Sequence, residues 1–310
     1  MSIHTATEPS RAMLVDARWL LNHLDEPGVR VFDCTTHMIA QPVGPSKIVS
    51  GKADFERGHI PGATHLDMVA DLSDPSGAYP YTMLRPEQFE QLANRTGLKK
   101  EDHVILYATS AITTLTRAWL VFYVMGHPNV SILDGGLREW QACGGPIITK
   151  EIASEAPHGQ TITPSTPIAS PGSYRVTQTR LEHIATLEDI KRVLIKHDSV
   201  LLNALSREQF EGISGAHYGR PGRIPDSLHL AAREMVEPVS GKFHAREKLL
   251  TMAKQAGLDA SRPVIHYCGG GIAASTTAFV LAMLGWKDWA LYDNSLLEWS
   301  TQPDTPMARH

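Results

Sequence analysis

The chain has 310 residues, about twice the ~150 residues of a common domain, so its length favours two domains. Hydrophobic residues make up 42% of the sequence and charged residues 20%, which suffices for a core in each half. A net charge of −4 at pH 7 gives no support for a general nucleic-acid or anionic-membrane binder. No apolar run approaches the ~20 residues of a membrane-spanning helix, and no secretory signal is visible at the start.

Short apolar runs alternate with helical patterns in the first half. Strands are predicted at Val29–Phe32, Val104–Tyr107 and Val130–Leu133. Helices are predicted at Pro86–Thr96 and Thr113–Met125, with Gly97 and Gly126 placed to end them.

The same alternation returns after a segment rich in proline. Residues 151–174 contain four prolines and two glycines, a composition typical of a linker. Beyond them, strands are predicted at Val200–Leu202, Val264–Tyr267 and Ala290–Tyr292, and helices at Ala245–Ala256 and Ala274–Leu284. The sequence therefore predicts a first domain over 1–150, a linker over 151–174 and a second domain over 175–310.

The two halves also match each other landmark by landmark. The apolar runs Val104–Ala108 and Val264–Cys268 are offset by 160 positions. Further pairs follow in the same order: Gly58–Ala63 with Gly222–Ser227, Ile132–Trp140 with Leu291–Trp299, and Val31–Asp33 with Leu201–Asn203. The offset rises to 170 upstream, which predicts about six extra residues in the first half, within Ile39–Ser50. This is the pattern of a duplicated domain.

Alternating strands and helices predict an α/β fold with two tandem domains, each a mostly parallel sheet with helices on both faces. Ligands bind beyond the carboxyl ends of the strands in such sheets. Functional side chains are therefore expected in the loops that follow the strands.

One of the three cysteines stands in such a loop. Cys268 follows the strand Val264–Tyr267, precedes three glycines (269–271) and leads into the helix Ala274–Leu284. Glycines let backbone N–H groups turn toward one point, and the start of the helix adds its own free N–H groups and positive dipole end. A thiol in this setting should ionise readily and act as a nucleophile.

The other two cysteines lack this setting. Cys34 follows a strand but is followed by no glycine, and Cys143 lies near a Gly-Gly-Pro turn, so both are interpreted as structural. Three widely spaced cysteines without a CxxC motif support neither a disulfide framework nor a cysteine-rich zinc site. A reducing compartment, the cytoplasm, is the default expectation.

Three motifs together resemble the rhodanese family, and more narrowly its tandem-domain sulfurtransferases, which use thiosulfate or 3-mercaptopyruvate. They are Gly58–Ala63 (GHIPGA), Leu133–Trp140 (LDGGLREW) and Cys268 after its buried strand. The resemblance spans residues from about 14 to 303. It implies an inactive first domain, and Ala108 indeed stands where the second domain has Cys268.

The resemblance also implies a two-step reaction. Thiolate Cys268 takes the outer sulfur of a donor as a persulfide, and a second nucleophile such as cyanide, a small thiol or a protein thiol removes it. The amides of the following residues would stabilise the anionic sulfur: Gly269, Gly270, Gly271, Ile272 and Ala273. No metal or organic cofactor is required, and no nucleic-acid or membrane partner is expected.

The preferred donor stays open because the chain departs from both donor patterns. The loop carries no basic residue of the kind thiosulfate enzymes place there, and no hydroxyl of the kind mercaptopyruvate enzymes place there. Gln209 also replaces an arginine of the family pattern. Arg220 and Arg223, on a glycine- and proline-rich segment, are therefore the candidates for holding the donor anion, and His59 is a further cleft candidate.

Two alternative functions would require different residues in this chain. A cysteine phosphatase needs an arginine six positions after the nucleophile, and Ala274 stands there, which excludes that chemistry. A non-catalytic interaction or regulatory module of the same fold is the remaining alternative. Its signature would be loss of the cysteine or of the glycine loop, and both are present.

Overall fold

The computed structural model describes residues 12–39, 41, 45–149, 173–213 and 218–309. Most of the predicted linker, residues 151–172, lies outside this range, as does His217 of the segment that carries the two candidate arginines. The domain limits therefore stay predictions. The structure does place Tyr174, near the end of the predicted linker, against Phe89 of the first domain, with ring centroids 5.7 Å apart.

The first domain is built on a parallel sheet. Its strands are β1 (Leu14–Val15), β2 (Val29–Asp33), β5 (Thr64–His65), β6 (His103–Tyr107) and β7 (Val130–Leu133), in the order β1-β7-β6-β2-β5. A separate antiparallel hairpin is formed by β3 (Thr36–Ile39) and β4 (Lys47–Ser50). The helices are α1 (Ala17–His23), α2 (Lys52–Arg57), α3 (Pro86–Arg95), α4 (Ile112–Val124) and α5 (Gly136–Ala142).

The second domain repeats this arrangement. Its strands are β8 (Ile184–Ala185), β9 (Val200–Asn203), β10 (Leu228–His229), β11 (Val264–Tyr267) and β12 (Trp289–Tyr292), in the order β10-β9-β11-β12-β8. Its helices are α6 (Leu187–Lys196), α7 (Arg207–Glu211), α8 (Arg246–Gln255), α9 (Ala274–Leu284) and α10 (Ser295–Trp299). Short 3₁₀ turns occupy Leu181–His183 and Ala232–Met235. The predicted α/β fold with two parallel sheets is confirmed.

Strand β6 shows why helices cover both faces of the sheet. All five of its residues are buried, and successive side chains point to opposite faces. Val104 and Leu106 join one apolar cluster, whereas Ile105 and Tyr107 join another on the opposite face. Burial on both faces is typical of central strands in parallel sheets.

Equivalent hydrogen bonds support the duplication atom by atom. The Ile60 amide donates to the Tyr107 hydroxyl at 3.3 Å, and the Ile224 amide donates to the Tyr267 hydroxyl at 3.1 Å. The indoles of Trp140 and Trp299 donate in the same way to the carbonyls of Pro146 and Pro306. The predicted insertion within Ile39–Ser50 falls in the β3–β4 hairpin, which has no counterpart among the described residues of the second domain.

Helices α4 and α9 form the centre of the domain interface. The hydroxyl of Thr116 on α4 lies 2.9 Å from that of Ser275 and 2.8 Å from that of Thr276 on α9. Beside them, Trp119 packs edge-on against Phe279 with ring centroids 4.9 Å apart. One continuous apolar cluster therefore runs from the first domain into the second. In the described part of the chain, no helix is long and apolar enough to cross a membrane.

Candidate functional site

Cys268 lies at the carboxyl end of β11, the central strand of the second sheet, and is 2% exposed. Its amide donates to the Ser295 hydroxyl at 3.1 Å, and its carbonyl accepts from the Leu296 amide at 3.2 Å. The next carbonyl, that of Gly269, accepts from the Leu297 amide at 2.8 Å. The first turn of α10 thus fixes the backbone on which the thiol stands.

The five amides after Cys268, those of residues 269–273, donate no hydrogen bond to any other described residue. They lead into α9, an 11-residue helix whose first N–H groups add partial positive charge. Such a row of unpaired donors is suited to hold an anion on the cysteine sulfur. We call residues 268–273 the Cys268 loop.

Each of the three loop glycines has a neighbour closer than 3.0 Å to the place where a Cβ would stand, and the contact is tightest at Gly269 and Gly271. Gly271 has φ of +81°, and a Cβ there would lie 2.4 Å from the carbonyl oxygen of Asp293. A Cβ on Gly269 would lie 1.9 Å from Cζ of Tyr218. The glycines are therefore required by backbone conformation at Gly271 and by close approach of a ring at Gly269.

Aromatic and aliphatic side chains surround the loop. Tyr218 covers Gly269, whereas Leu297 and Tyr81 stand nearest to the Cβ position of Gly270, at 2.8 and 3.9 Å. Tyr81 belongs to the first domain, so both domains contribute to the walls. The segment of the first domain that carries Tyr81 thus borders the site.

A buried ion pair joins the first domain to the back of the loop. Arg117 on α4 is fully buried, and its Nη1 donates to Asp293 Oδ1 at 2.6 Å. Asp293 follows β12, and its Oδ2 accepts the Met83 amide at 2.7 Å. Arg117 Nη2 also donates to the Tyr81 carbonyl. Arg117 Nη1 lies 3.1 Å from the point that a Cβ on Gly271 would occupy. This network therefore supports the turn of the Cys268 loop directly.

Tyr218 lies near Gln209, which stands where the family pattern has an arginine. The Oε1 atom of Gln209 accepts the Ser206 amide at 3.4 Å. Burial raises the pKa of Tyr218, and the nearby Cys268 raises it further. The phenol therefore stays protonated at neutral pH.

Arg220 is bound by the segment that follows α10. Its Nε donates to the Ser300 carbonyl at 2.9 Å, and its Nη2 donates to the Gln302 carbonyl and the Thr305 hydroxyl, each at 2.8 Å. These bonds give Arg220 a structural role in anchoring the C-terminal segment. A contact between Arg220 and the sulfur donor stays a prediction.

Arg223 and His59 occupy equivalent places in the two domains. The backbone of Arg223 pairs with Ala308, and that of His59 pairs with Ile148. The Arg223 guanidinium lies 4.5 Å from the ring centroid of Phe210, whereas His59 stacks on Phe55 and lies 2.8 Å from its carbonyl through Nδ1. All these contacts lie within each residue's own domain, and roles in the cleft stay predictions for both.

The equivalent loop of the first domain, residues 108–113, is built differently. The Thr109 amide donates to the Thr35 hydroxyl at 3.0 Å, so the first donor of the row is occupied. Ala111, at the position of Gly271, has φ of −58°. A cavity of about 410 Å³ opens here, lined by residues 108–112 and by the second-domain turn 236–241. We call residues 108–113 the Ala108 loop.

The remaining cysteines do not share the environment of Cys268. All three cysteines are unpaired. Cys34 is fully buried, and burial raises its pKa well above the usual value, so it stays a thiol. Cys143 is half-buried at the end of α5. Within residues 12–149, 173–213 and 218–309, as far as they are described, no group of three or more His, Cys, Asp or Glu side chains is placed to hold a metal.

Sequence reasoning missed Tyr218, Ser295 and the Arg117–Asp293 pair. Tyr218 stands two residues before Arg220, in the segment that was interpreted through its arginines. Asp293 lies within the repeat landmark Leu291–Trp299. Arg117 lies within a helix of apolar pattern, where one charged residue gives a weak signal that it is buried and paired.

A family model described as a rhodanese-like domain matches residues 16–143 and 186–302. The chain therefore belongs to the rhodanese-like domain family and carries the domain twice, as its motifs indicated.

Several relatives match nearly the whole chain. The 3-mercaptopyruvate sulfurtransferase of Escherichia coli strain K12 is 29% identical over 298 residues, covering 96% of this chain and 98% of the relative. The mitochondrial thiosulfate/3-mercaptopyruvate sulfurtransferase 1 of Arabidopsis thaliana is 28% identical over 320 residues, covering 98% and 80%. The solved structure of SseA from Escherichia coli, described among the 3-mercaptopyruvate sulfotransferases, superposes on this chain with a TM-score of 0.73 at 26% identity. The match covers 92% of this chain and 98% of SseA.

Proposed function

We propose that the protein is a sulfurtransferase that moves a sulfane sulfur from thiosulfate or 3-mercaptopyruvate, through a persulfide on Cys268, to a thiophilic acceptor. The observation that carries this proposal is the Cys268 loop, a cysteine followed by five unpaired amides at the carboxyl end of the central strand. The relatives that cover nearly the whole chain support the same activity.

With thiosulfate, the Cys268 thiolate attacks the outer sulfur. A bond forms between the two sulfurs, and the sulfur–sulfur bond of the donor breaks. Sulfite leaves with the electron pair, so charge balances without any proton transfer. The persulfide anion then lies where the amides of the Cys268 loop stabilise it.

With 3-mercaptopyruvate, the bond that breaks joins sulfur to carbon. The electron pair leaves on carbon as the enolate of pyruvate, which must gain a proton to become pyruvate. The proton balance closes because the donor's thiol proton is released when its sulfur becomes the outer persulfide atom. This donor, unlike thiosulfate, requires a proton donor in the site.

In the second step, cyanide, a small thiol or a protein thiol attacks the outer sulfur and returns Cys268 to its thiolate. We assign four sets of protein groups to this chemistry. They are the thiolate, the loop amides, the donor-binding arginines Arg220 and Arg223, and His59 in the cleft. Neither step needs a metal or an organic cofactor. The use of Cys268 as a free thiol is consistent with a reducing compartment, and we place the protein in the cytoplasm.

The persulfide can be tested by mass spectrometry. After incubation with either donor and removal of excess, the wild-type protein should gain the mass of one sulfur on the peptide that contains Cys268. Cys268→Ala should gain none, whereas Cys143→Ala should behave like the wild type because Cys143 lies outside the loop. Absence of the adduct with both donors would leave the non-catalytic alternative, an interaction module.

A further inference from the structure

The Cys268 loop itself contains no proton donor. Its residues 269–273 are three glycines, an isoleucine and an alanine. Two serine hydroxyls close to the loop are committed elsewhere, because Ser275 donates to the Ile272 carbonyl at 2.6 Å and Ser295 donates to the Tyr292 carbonyl at 2.7 Å. A donor that leaves as an enolate must therefore be protonated from outside the loop.

Tyr218 presents its hydroxyl end to the loop. The ring atoms nearest to the Cβ position of Gly269 are Cζ, at 1.9 Å, and the two adjacent Cε atoms, at 2.2 and 2.4 Å. Cζ carries the hydroxyl, so the phenol oxygen lies beside the residue that follows Cys268. Tyr81, the other tyrosine of the wall, approaches Gly270 through Cδ2 at 3.9 Å, on the side of its ring away from the hydroxyl.

The position of Tyr218 beside the loop is fixed through its backbone, because its carbonyl accepts the Ser300 hydroxyl at 2.9 Å. Gln209 lies near its phenol.

We propose that Tyr218 is the proton donor for sulfur–carbon cleavage, taking the place of the hydroxyl that is missing from the Cys268 loop. This assignment rests on the proposed sulfurtransferase activity and deepens it, since it makes thiols that leave as enolates, such as 3-mercaptopyruvate, the donor class that the site serves. As the carbon–sulfur bond breaks, the enolate takes the phenol proton. The phenolate then regains a proton, and the balance closes with the one released from the donor's thiol.

The test is Tyr218→Phe, which keeps the ring over Gly269 and removes only the hydroxyl. Its kcat with 3-mercaptopyruvate should fall by about 100-fold or more, the usual contribution of a general acid. Transfer from thiosulfate and alkylation of Cys268 by iodoacetamide need no proton donor. The loss of rate in each should therefore be roughly tenfold smaller than the loss with 3-mercaptopyruvate. Tyr123→Phe is the control, because it removes a phenol hydroxyl 3.4 Å from His183 and away from the loop.

Three results would overturn the assignment of Tyr218. They are equal losses with both donors, a donor-selective loss in Tyr81→Phe instead of Tyr218→Phe, and a wild-type protein that uses thiosulfate but not 3-mercaptopyruvate. Failure of the wild-type protein to form a persulfide from either donor would refute the proposed function itself, so the two failures are distinguishable.

Discussion

The Cys268 loop and the Ala108 loop occupy equivalent places in the two sheets, yet their backbones differ. The Cys268 loop turns through Gly271 at φ of +81° and leaves its amides unpaired. The Ala108 loop has an ordinary φ of −58° at Ala111, and its Thr109 amide is bonded to Thr35. The first domain therefore lacks the glycine turn with unpaired amides as well as the thiol.

The two domains also differ in the contacts that each makes behind the loop of the other domain. Asp293 accepts the Met83 amide, and its repeat counterpart Asp134 accepts the Phe243 amide at 2.9 Å. Only Asp293 also has a buried guanidinium, that of Arg117, whose counterpart on α9 is Thr277. Burial raises the pKa of Asp134, as expected for a carboxylate that lacks such a partner. The first domain thus supplies a buried cation behind the second domain's loop, whereas the second-domain cation near Asp134, Lys242, is partly exposed and pairs with Glu139.

The largest expected effect comes from moving the thiol between the loops. Cys268→Ala should abolish sulfur transfer, and adding Ala108→Cys should not restore it, because the amides of the Ala108 loop are not arranged to hold a persulfide anion. The measurement is mass spectrometry of both variants after incubation with donor. A sulfur adduct on residue 108 would show that backbone geometry does not distinguish the two loops.

The next effect concerns the glycine turn. Gly271→Ala places a Cβ 2.4 Å from the Asp293 carbonyl at a positive φ, so the loop must shift, and kcat should fall by about 100-fold or more, as for loss of an oxyanion donor. Ala111→Gly is the matched control and should leave kcat within about twofold, since glycine is tolerated at a helix N-cap. Full activity of Gly271→Ala would contradict the requirement for this turn.

A third comparison sets Asp293→Asn against Asp134→Asn. The first leaves the buried Arg117 charge uncompensated and should lower the free energy of unfolding by about 3–5 kcal/mol. The second removes a carboxylate that burial disfavours while keeping an acceptor for Phe243, and should change stability by less than about 1 kcal/mol. Urea unfolding at pH 7 measures both, and equal losses would remove the distinction between the two carboxylates.

The substitution with the smallest expected effect on stability at neutral pH is one at His266, whose repeat counterpart is Leu106. Burial lowers the pKa of His266 to about 3, so the folded protein keeps it neutral while the unfolded chain binds a proton below pH ~6.5. The stability that depends on neutral His266 is therefore complete above this pH and is lost as the pH falls toward 3.

His266→Leu should remove this pH dependence. Between pH 7 and pH 5, the free energy of unfolding should fall by about 2 kcal/mol less in the variant than in the wild type. Thr277, which lies 2.9 Å from His266 Nδ1, keeps its bond to the Ala274 carbonyl in the variant. Urea unfolding at the two pH values provides the measurement. An unchanged loss of stability on acidification would rule His266 out as its source.

The central strands and the helix α9 were predictable because each is a buried apolar run bounded by turn residues. Val264–Tyr267 and Ala274–Leu284 were placed with the ends that the structure has. The edge strands β1, β5, β8 and β10 were not predicted, since two residues carry no periodic pattern. The β3–β4 hairpin was located only as an insertion, because its sequence shows the extra length but not the pairing.

The position of Cys268 followed from local sequence, whereas its surroundings did not. Tyr218 stands 50 residues before it, and no spacing rule indicates that its ring covers Gly269. Arg220 was predicted from its local segment as a donor-binding residue, and nothing in the sequence indicated that its guanidinium also bonds carbonyls 80 or more residues away. Such contacts depend on how distant segments pack, and they become visible only in the folded chain.

The Thr116–Thr276 contact at the domain interface joins a residue to its own copy, 160 positions further along. Contacts of this kind lie on a local twofold axis, and a surface that meets its own copy is self-complementary. Two separate single domains with this face would pair as a symmetric dimer bearing two identical clefts. Joining them in one polypeptide keeps the pairing at high effective concentration and lets the two copies diverge. Loss of the thiol at Ala108 then removes one reaction centre while preserving the docking surface on which the other depends.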